Sequence, residues 1–483
     1  MRRMAIETGT ALRRVRDSLR SGDWLTHERI RLVAVVLLIA SVAGLALLLV
    51  TAHGVIDRQG RPLGTDFSNV YAAGTYVRDG NPAAPFDPPQ QYAREQALFG
   101  KATPFYGWHY PPYFLFVASL LAEMPYGLAL TLWQAVTLAL YLFVIWTIMK
   151  IPSPERGGMA RDARQGGVTT DELSLTPARQ PSTVDVPLSG GGIWAGVGYE
   201  WLLLALAFPA VLINAGHGQN GFLTAALLGG ALVALPTRPA LAGVLFGLLI
   251  YKPQFGLLIP LALLAGAQWR AIATAVATVA LLTLVTTLVF GPQVWPAFLA
   301  STEYSRAVVL EQGDTGWHKI QSLFSWARMW GASIPVAYAL QGVLTAALGV
   351  AIVRLWRSAA PHALKAAALC LAAILATPYT LDYDMMVLAP AIAFFAADGI
   401  GRGFKPWEKT ALATLWLAPL VARGVAQATL IPLGVPAMLA AFAVLWRRAE
   451  LDRIPLVRFG GSSPRMADSS GPARGHDIAA FKQ

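Results

Sequence analysis

The sequence predicts an all-α polytopic membrane protein, and three observations carry that prediction. Only 13% of the 483 residues are charged, while 55% are hydrophobic. A water-facing globular surface draws on nearer a quarter charged residues, so much of this chain's surface must face lipid. The apolar residues fall in long runs bounded by charge, glycine or proline, and mean hydropathy over the chain is +0.51. The basic residues gather in alternate connections between those runs, as the positive-inside rule requires.

The runs define about eleven to twelve spans of bilayer length or shorter. They lie near 31–51, 126–149, 193–213, 218–235, 238–251, 253–267, 269–290, 332–354, 362–378, 383–398, 407–422 and 425–446. Residues 1–30 read as a basic cytoplasmic N-terminus carrying Arg2, Arg3, Arg13, Arg14, Arg16, Arg20 and Arg29. The apolar run that follows is too long for a cleaved signal and reads as a signal anchor. A membrane body covers 31–451, with a first outer loop at 52–125 and a second at 291–331. The run Tyr113–Leu121 is too short to span and reads as a helix at the outer face. Residues 152–192 and 452–483 are rich in small and polar residues without apolar period, and read as disordered cytoplasmic segments.

With the N-terminus inside, Lys150, Arg238, Arg270, Arg354, Arg357, Lys365, Arg402, Lys405, Lys409, Arg447 and Arg448 all fall on the cytoplasmic side. Outer connections at 214–217, around 252, 379–382 and 423–424 are poorer in basic residues. The formal charge of +11 is explained by topology and anionic lipid, which removes the case for a nucleic-acid partner. The single cysteine, Cys370, excludes a disulfide framework and a cysteine metal site.

Topology also sorts the polar residues. Span centres hold almost no ionisable groups, which counts against an ion-coupled transporter or channel. The unusual polar residues gather at outer helix ends and loops instead. They are Asp66, His109, Tyr110, His217, Gln219, Asn220, Lys252, His318, Lys319, Asp382 and Asp384. Each has a structural reading beside a chemical one. Asp66 precedes an amphipathic helical pattern, where a helix cap needs only a carboxylate oxygen. Asp87 before Pro88 reads as a turn former. The turn Gly216–Gly221 needs glycines at a membrane surface anyway. Lys252 could snorkel to the interface. Asp382 and Asp384 could cap the next helix.

Taken in order, these pieces resemble glycosyltransferase family 87, the polyprenol-phosphate-mannose-dependent mannosyltransferases of the GT-C superfamily. The resemblance rests on Asp66-Phe67 before Tyr71-Ala72-Ala73-Gly74, then Gly80-Asn81-Pro82 and Phe86-Asp87-Pro88. Tyr110-Pro111-Pro112, Trp133, Gly218-Gln219-Asn220, Lys252-Pro253, Gln321-Ser322, Pro378 and Tyr383-Asp384 follow. Two departures stand out: an insertion between Pro82 and Phe86, and His318-Lys319-Ile320 where the family often has Asn before Gln-Ser.

The resemblance implies a GT-C-like bundle with short amphipathic helices in its first outer loop, lodged in the inner (plasma) membrane with its site on the outer face. It implies a polyprenyl-phosphate sugar donor, mannose by default, and a glycolipid or glycan acceptor, with lipids as the other partners. The first-loop acid, here Asp66, would be the catalytic base. A polyprenyl phosphate departs without protonation, so one base suffices where glycoside hydrolysis needs two carboxylates. Lys252 and His217, then His109, His318 and Lys319, are the candidates to meet charge developing on the phosphate. Gln219, Asn220, Tyr110 and Asp384 complete the candidate binding set. No cofactor is expected. No acid pair in the first loop has clear metal-ligand spacing, although a divalent ion is not excluded. Competing readings are another sugar (arabinofuranose or glucose), a transporter or lipid flippase, and a structural subunit.

Overall fold

The structure, a computed structural model, describes residues 2–150 and 200–451. The segments read as disordered, 152–192 and 452–483, lie outside the described residues. Those residues form helices and turns with no strand, only isolated bridges such as Ile320 to Leu381.

An amphipathic helix α1 (Arg2–Ser21) leads into α2 (His27–Val50), capped by Thr26, whose side chain accepts from the Arg29 N–H. The 52–125 loop then folds into α3 (Phe67–Arg78), α4 (Pro88–Phe99) and α5 (Leu115–Leu121). Asp87 caps α4 by accepting from the Gln90 N–H, as its sequence context suggests. A long α6 (Tyr126–Met149) returns across the bundle. Next come α7 (Glu200–Leu206) and α8 (Pro209–His217), bent by 48° at Ala207 and Phe208, just ahead of Pro209.

The middle of the chain is built from short helices: α9 (Gly221–Ala234), α10 (Pro239–Leu248) and α11 (Ile259–Ala265). A long α12 (Trp269–Phe290) lies along α10. Gly243 and Gly247 allow that approach: a Cβ on Gly243 would sit 1.9 Å from the Thr274 hydroxyl. The 291–331 loop carries α13 (Val294–Tyr304), a π-turn over Ser305–Glu311 and α14 (Leu323–Met329). The chain closes with α15 (Ile334–Trp356), α16 (His362–Leu375), α17 (Leu388–Arg402), α18 (Glu408–Thr429) and α19 (Gly434–Leu451).

Among the described residues six helices are long and apolar enough to cross a membrane, or seven with the bent α7–α8 pair. The predicted spans 218–235, 238–251, 253–267 and 362–378 fall on shorter apolar helices, and 425–446 is divided between the end of α18 and α19. Leu32, Val36, Ile39 and Leu47 of α2, and Val276, Leu281 and Leu288 of α12, are exposed, as lipid-facing surfaces require. One expectation needs correction: residues 423–424 are not a connection, since α18 runs through them to Thr429 and the turn follows at 430–433. Arg448 is buried against Glu408 (2.5 Å) and Asp398 (2.6 Å). A hydropathy scan cannot see such pairs, since their partners lie far apart in sequence.

Candidate active site

The short helices place the site. α9 has 14 residues, about 21 Å at 1.5 Å per residue, against roughly 30 Å of hydrocarbon. Its neighbours meet at Lys252 after a similarly short run. The residues at these ends come together, and the 52–125 loop reaches them through Asp66.

Asp66 is held there by a backbone contact. Its N–H donates to the His217 carbonyl at 3.0 Å. Two turns touch there, and both need glycine. Gly64 and Gly218 have φ of +63° and +66°, and a Cβ on Gly218 would lie 2.7 Å from the Phe67 Cβ. One face of α3 packs through Gly74 against the Ala118 carbonyl of α5. The rest of α3 buries Phe67, Val70 and Ala73.

Asp66 precedes α3 but makes no side-chain cap. Its Oδ2 instead accepts from Gln219 Nε2 at 2.8 Å and lies 3.7 Å from His217 Nδ1. Among the described residues no hydrogen bond reaches Oδ1. Tyr110 donates its hydroxyl to Gln219 Oε1 at 3.2 Å, completing a Tyr110–Gln219–Asp66 relay. His217 is tied by Nδ1 to the Thr65 hydroxyl at 2.7 Å. Asn220, at 2% exposure, has neither side-chain amide atom hydrogen-bonded. A buried amide without partners is costly unless something else satisfies it.

Lys252 does not snorkel. It is buried under the Tyr383 ring and pairs with Asp384 at 2.5 Å. Asp384 also accepts from the Leu381 N–H, and so fixes the turn before α17. Lys319, on the short turn Trp317–Lys319, lies within electrostatic reach of Asp66. Burial lowers its pKa first, and the nearby Arg423 lowers it further, while Asp382 and Asp66 oppose them. His318 is likewise lowered by burial, then by Arg423 and Lys319.

His109 faces elsewhere. Its Nδ1 contacts the Ser305 hydroxyl at 2.8 Å, where the π-turn begins, and joins the 52–125 and 291–331 loops. Burial drives its pKa down to about 4, so at neutral pH it carries no charge to offer a phosphate.

The sequence reading missed Arg423. It stands on α18, 3.4 Å from Asp382, with its side chain 42% exposed. The available signal was a lone arginine at the outer end of an apolar helix. Gln321 turns out to be a tie: its N–H donates to the Thr380 carbonyl and its Oε1 accepts from Gly434. Among the described residues no three His, Cys, Asp or Glu side chains are grouped to hold a metal ion.

Asp66 thus carries one carboxylate oxygen without a hydrogen bond among the described residues, near buried amides, tyrosines and cations. The chain belongs to glycosyltransferase family 87, whose family model matches residues 108–378, more than half of it. That span includes Tyr110, Gln219 and Lys252 but begins after Asp66. Neither a curated protein nor a solved structure matches the chain. The protein is a polytopic membrane glycosyltransferase.

Proposed function

We propose that this enzyme transfers a hexose, mannose by default, from a polyprenyl-phosphate donor to a hydroxyl of a lipid or glycan acceptor. The reaction takes place at the outer face of the inner membrane, with Asp66 as general base. The observation that carries this reading is the asymmetry of the Asp66 carboxylate. Gln219 anchors one oxygen, and the other is open to an acceptor hydroxyl.

In the proposed step, Asp66 Oδ1 takes the acceptor proton as the acceptor oxygen attacks the anomeric carbon. The bond from that carbon to the phosphate oxygen breaks on the opposite side, so the anomeric centre inverts. Negative charge collects on the departing phosphate. Lys319 and Arg423 are the cations proposed to meet it: the charge of Lys252 is held by Asp384 in a buried pair, whereas Arg423 is partly exposed and meets Asp382 only at 3.4 Å. The Asn220 amide is available to sugar hydroxyls.

The test is sugar transfer by purified protein in nanodiscs, given polyprenyl-phosphate mannose and a glycolipid acceptor pool, with Asp66→Asn alongside. The asparagine oxygen still accepts from Gln219, so the fold is retained. Transfer falls by about 10²- to 10⁴-fold if the carboxylate is the base. Equal rates in both proteins would remove Asp66 from the chemistry. No transfer with any lipid-linked sugar would favour a flippase, read next by a flipping assay.

A further inference from the structure

A second cavity, of about 440 Å³, lies at the other end of the bundle. α2 runs from it at His27 to the first outer loop at Val50, so one full span separates it from Asp66. Its walls are apolar: Ile30 and Val33 of α2, Ile145 of α6, Phe208, Ile392 of α17 and Trp416 of α18. The polar atoms in the wall are already used. Tyr141 donates to the Ala205 carbonyl and Trp416 to the Leu204 carbonyl.

The rim differs from the walls. Arg29 and Lys409 both line it, and among the described residues neither has a carboxylate at ion-pair distance. Arg29 spends one N–H on the Trp24 carbonyl, leaving most of its donors unspent. The rim's one histidine, His27, is paired with Glu200. Exposed Arg13, Arg14, Arg16 and Arg20 of α1 add basic charge at the same end.

α2 needs something behind it. Of its 24 residues only Ala34 is buried, so protein contacts alone hold it weakly against the body. An apolar cavity open at membrane level fills with hydrocarbon, and two unpaired cations at its mouth select a negative headgroup.

We infer that this cavity is a binding site for one anionic phospholipid. One acyl chain packs between α2, α7, α17 and α18, and the phosphate rests between Arg29 and Lys409. The lipid completes the seat of α2. The site is independent of the sugar chemistry, and its occupancy does not require transferase activity.

The test uses the full-length protein, delipidated in detergent and titrated with phosphatidylglycerol or phosphatidylcholine under native mass spectrometry. Wild type retains one phosphatidylglycerol and prefers it roughly tenfold or more, as two cations imply. The R29Q/K409Q protein loses that preference and binds both lipids alike. Ala396→Trp, which fills the cavity, loses the retained lipid and lowers the thermal midpoint gain that phosphatidylglycerol gives. Equal retention of both lipids by wild type, or an unchanged preference in R29Q/K409Q, would overturn the proposal. The charge substitutions lie on the rim, so their lipid preference can be measured even where the tryptophan variant fails to fold.

Discussion

Asp66 and His217 are joined through the backbone, and their side chains lie close. The Asp66 N–H donates to the His217 carbonyl at 3.0 Å, and the carboxylate lies 3.7 Å from the imidazole, whose Nδ1 is held by the Thr65 hydroxyl. The 52–125 loop and the α8 end thus meet at one point, beside the carboxylate. The backbone contact exists only because Gly64 and Gly218 leave room for it.

Gly218→Ala tests that dependence. Its φ of +66° strains any side chain, and its Cβ would press on Phe67. A cost of about 1–3 kcal/mol is expected, read as a lower thermal midpoint. Transfer should fall further than stability does, because the carboxylate moves with the turn. Full activity with a normal midpoint would show that the contact does not position Asp66.

The Lys252–Asp384 pair calls for a double-mutant cycle. Lys252→Met leaves a buried carboxylate without its cation and should cost about 3–5 kcal/mol. Adding Asp384→Leu removes the orphan and should restore most of the loss. Additive losses in thermal denaturation would mean that the pair is not coupled.

Arg423→Gln should lower kcat/KM about tenfold to a hundredfold by removing a cation from the departing phosphate. The side chain is 42% exposed, so the thermal midpoint should barely change. A kinetic effect confined to KM for the acceptor would place Arg423 on the acceptor side instead.

Glu95, in α4 of the outer loop, is fully buried, and burial raises its pKa from 4.5 to about 7 despite hydrogen bonds from Tyr106 and Gln91. The folded protein then binds more protons than the unfolded chain between pH 4.5 and 7. Stability therefore falls as pH rises through that window and is level above it, a change on the order of 3 kcal/mol. Glu95→Gln should remove this component. A melting profile over pH 4 to 8 with the same slope in both proteins would exclude Glu95 as its source.

Much of the fold was legible in sequence, because lipid imposes length and apolarity on each span, and these survive in a one-dimensional reading. The π-turn at Ser305 and the bend at Phe208 left no such mark. The site divides in the same way. Lys252, Gln219 and Asp66 announced themselves as polar residues at helix ends. Whether Asp66 caps a helix or faces a ligand depended on Gln219, which is distant in sequence. Arg423 was hidden by a boundary: ending the span at 422 turned a site residue into part of a loop. The sequence also offered His109 as a cation, but its contact with Ser305 and the surroundings that lower its pKa are tertiary facts.

The short runs Pro239–Tyr251 and Pro253–Ala265 expose Leu241, Val244, Leu248, Leu257, Leu261 and Leu264. Each is about 20 Å long, short of the roughly 30 Å of hydrocarbon, so neither crosses the bilayer alone. The long α12 packed along α10 supplies the full crossing beside them. Lys252 sits at the joint of the two half-length runs, so its depth follows from where the chain breaks and needs no polar residue inside a continuous span.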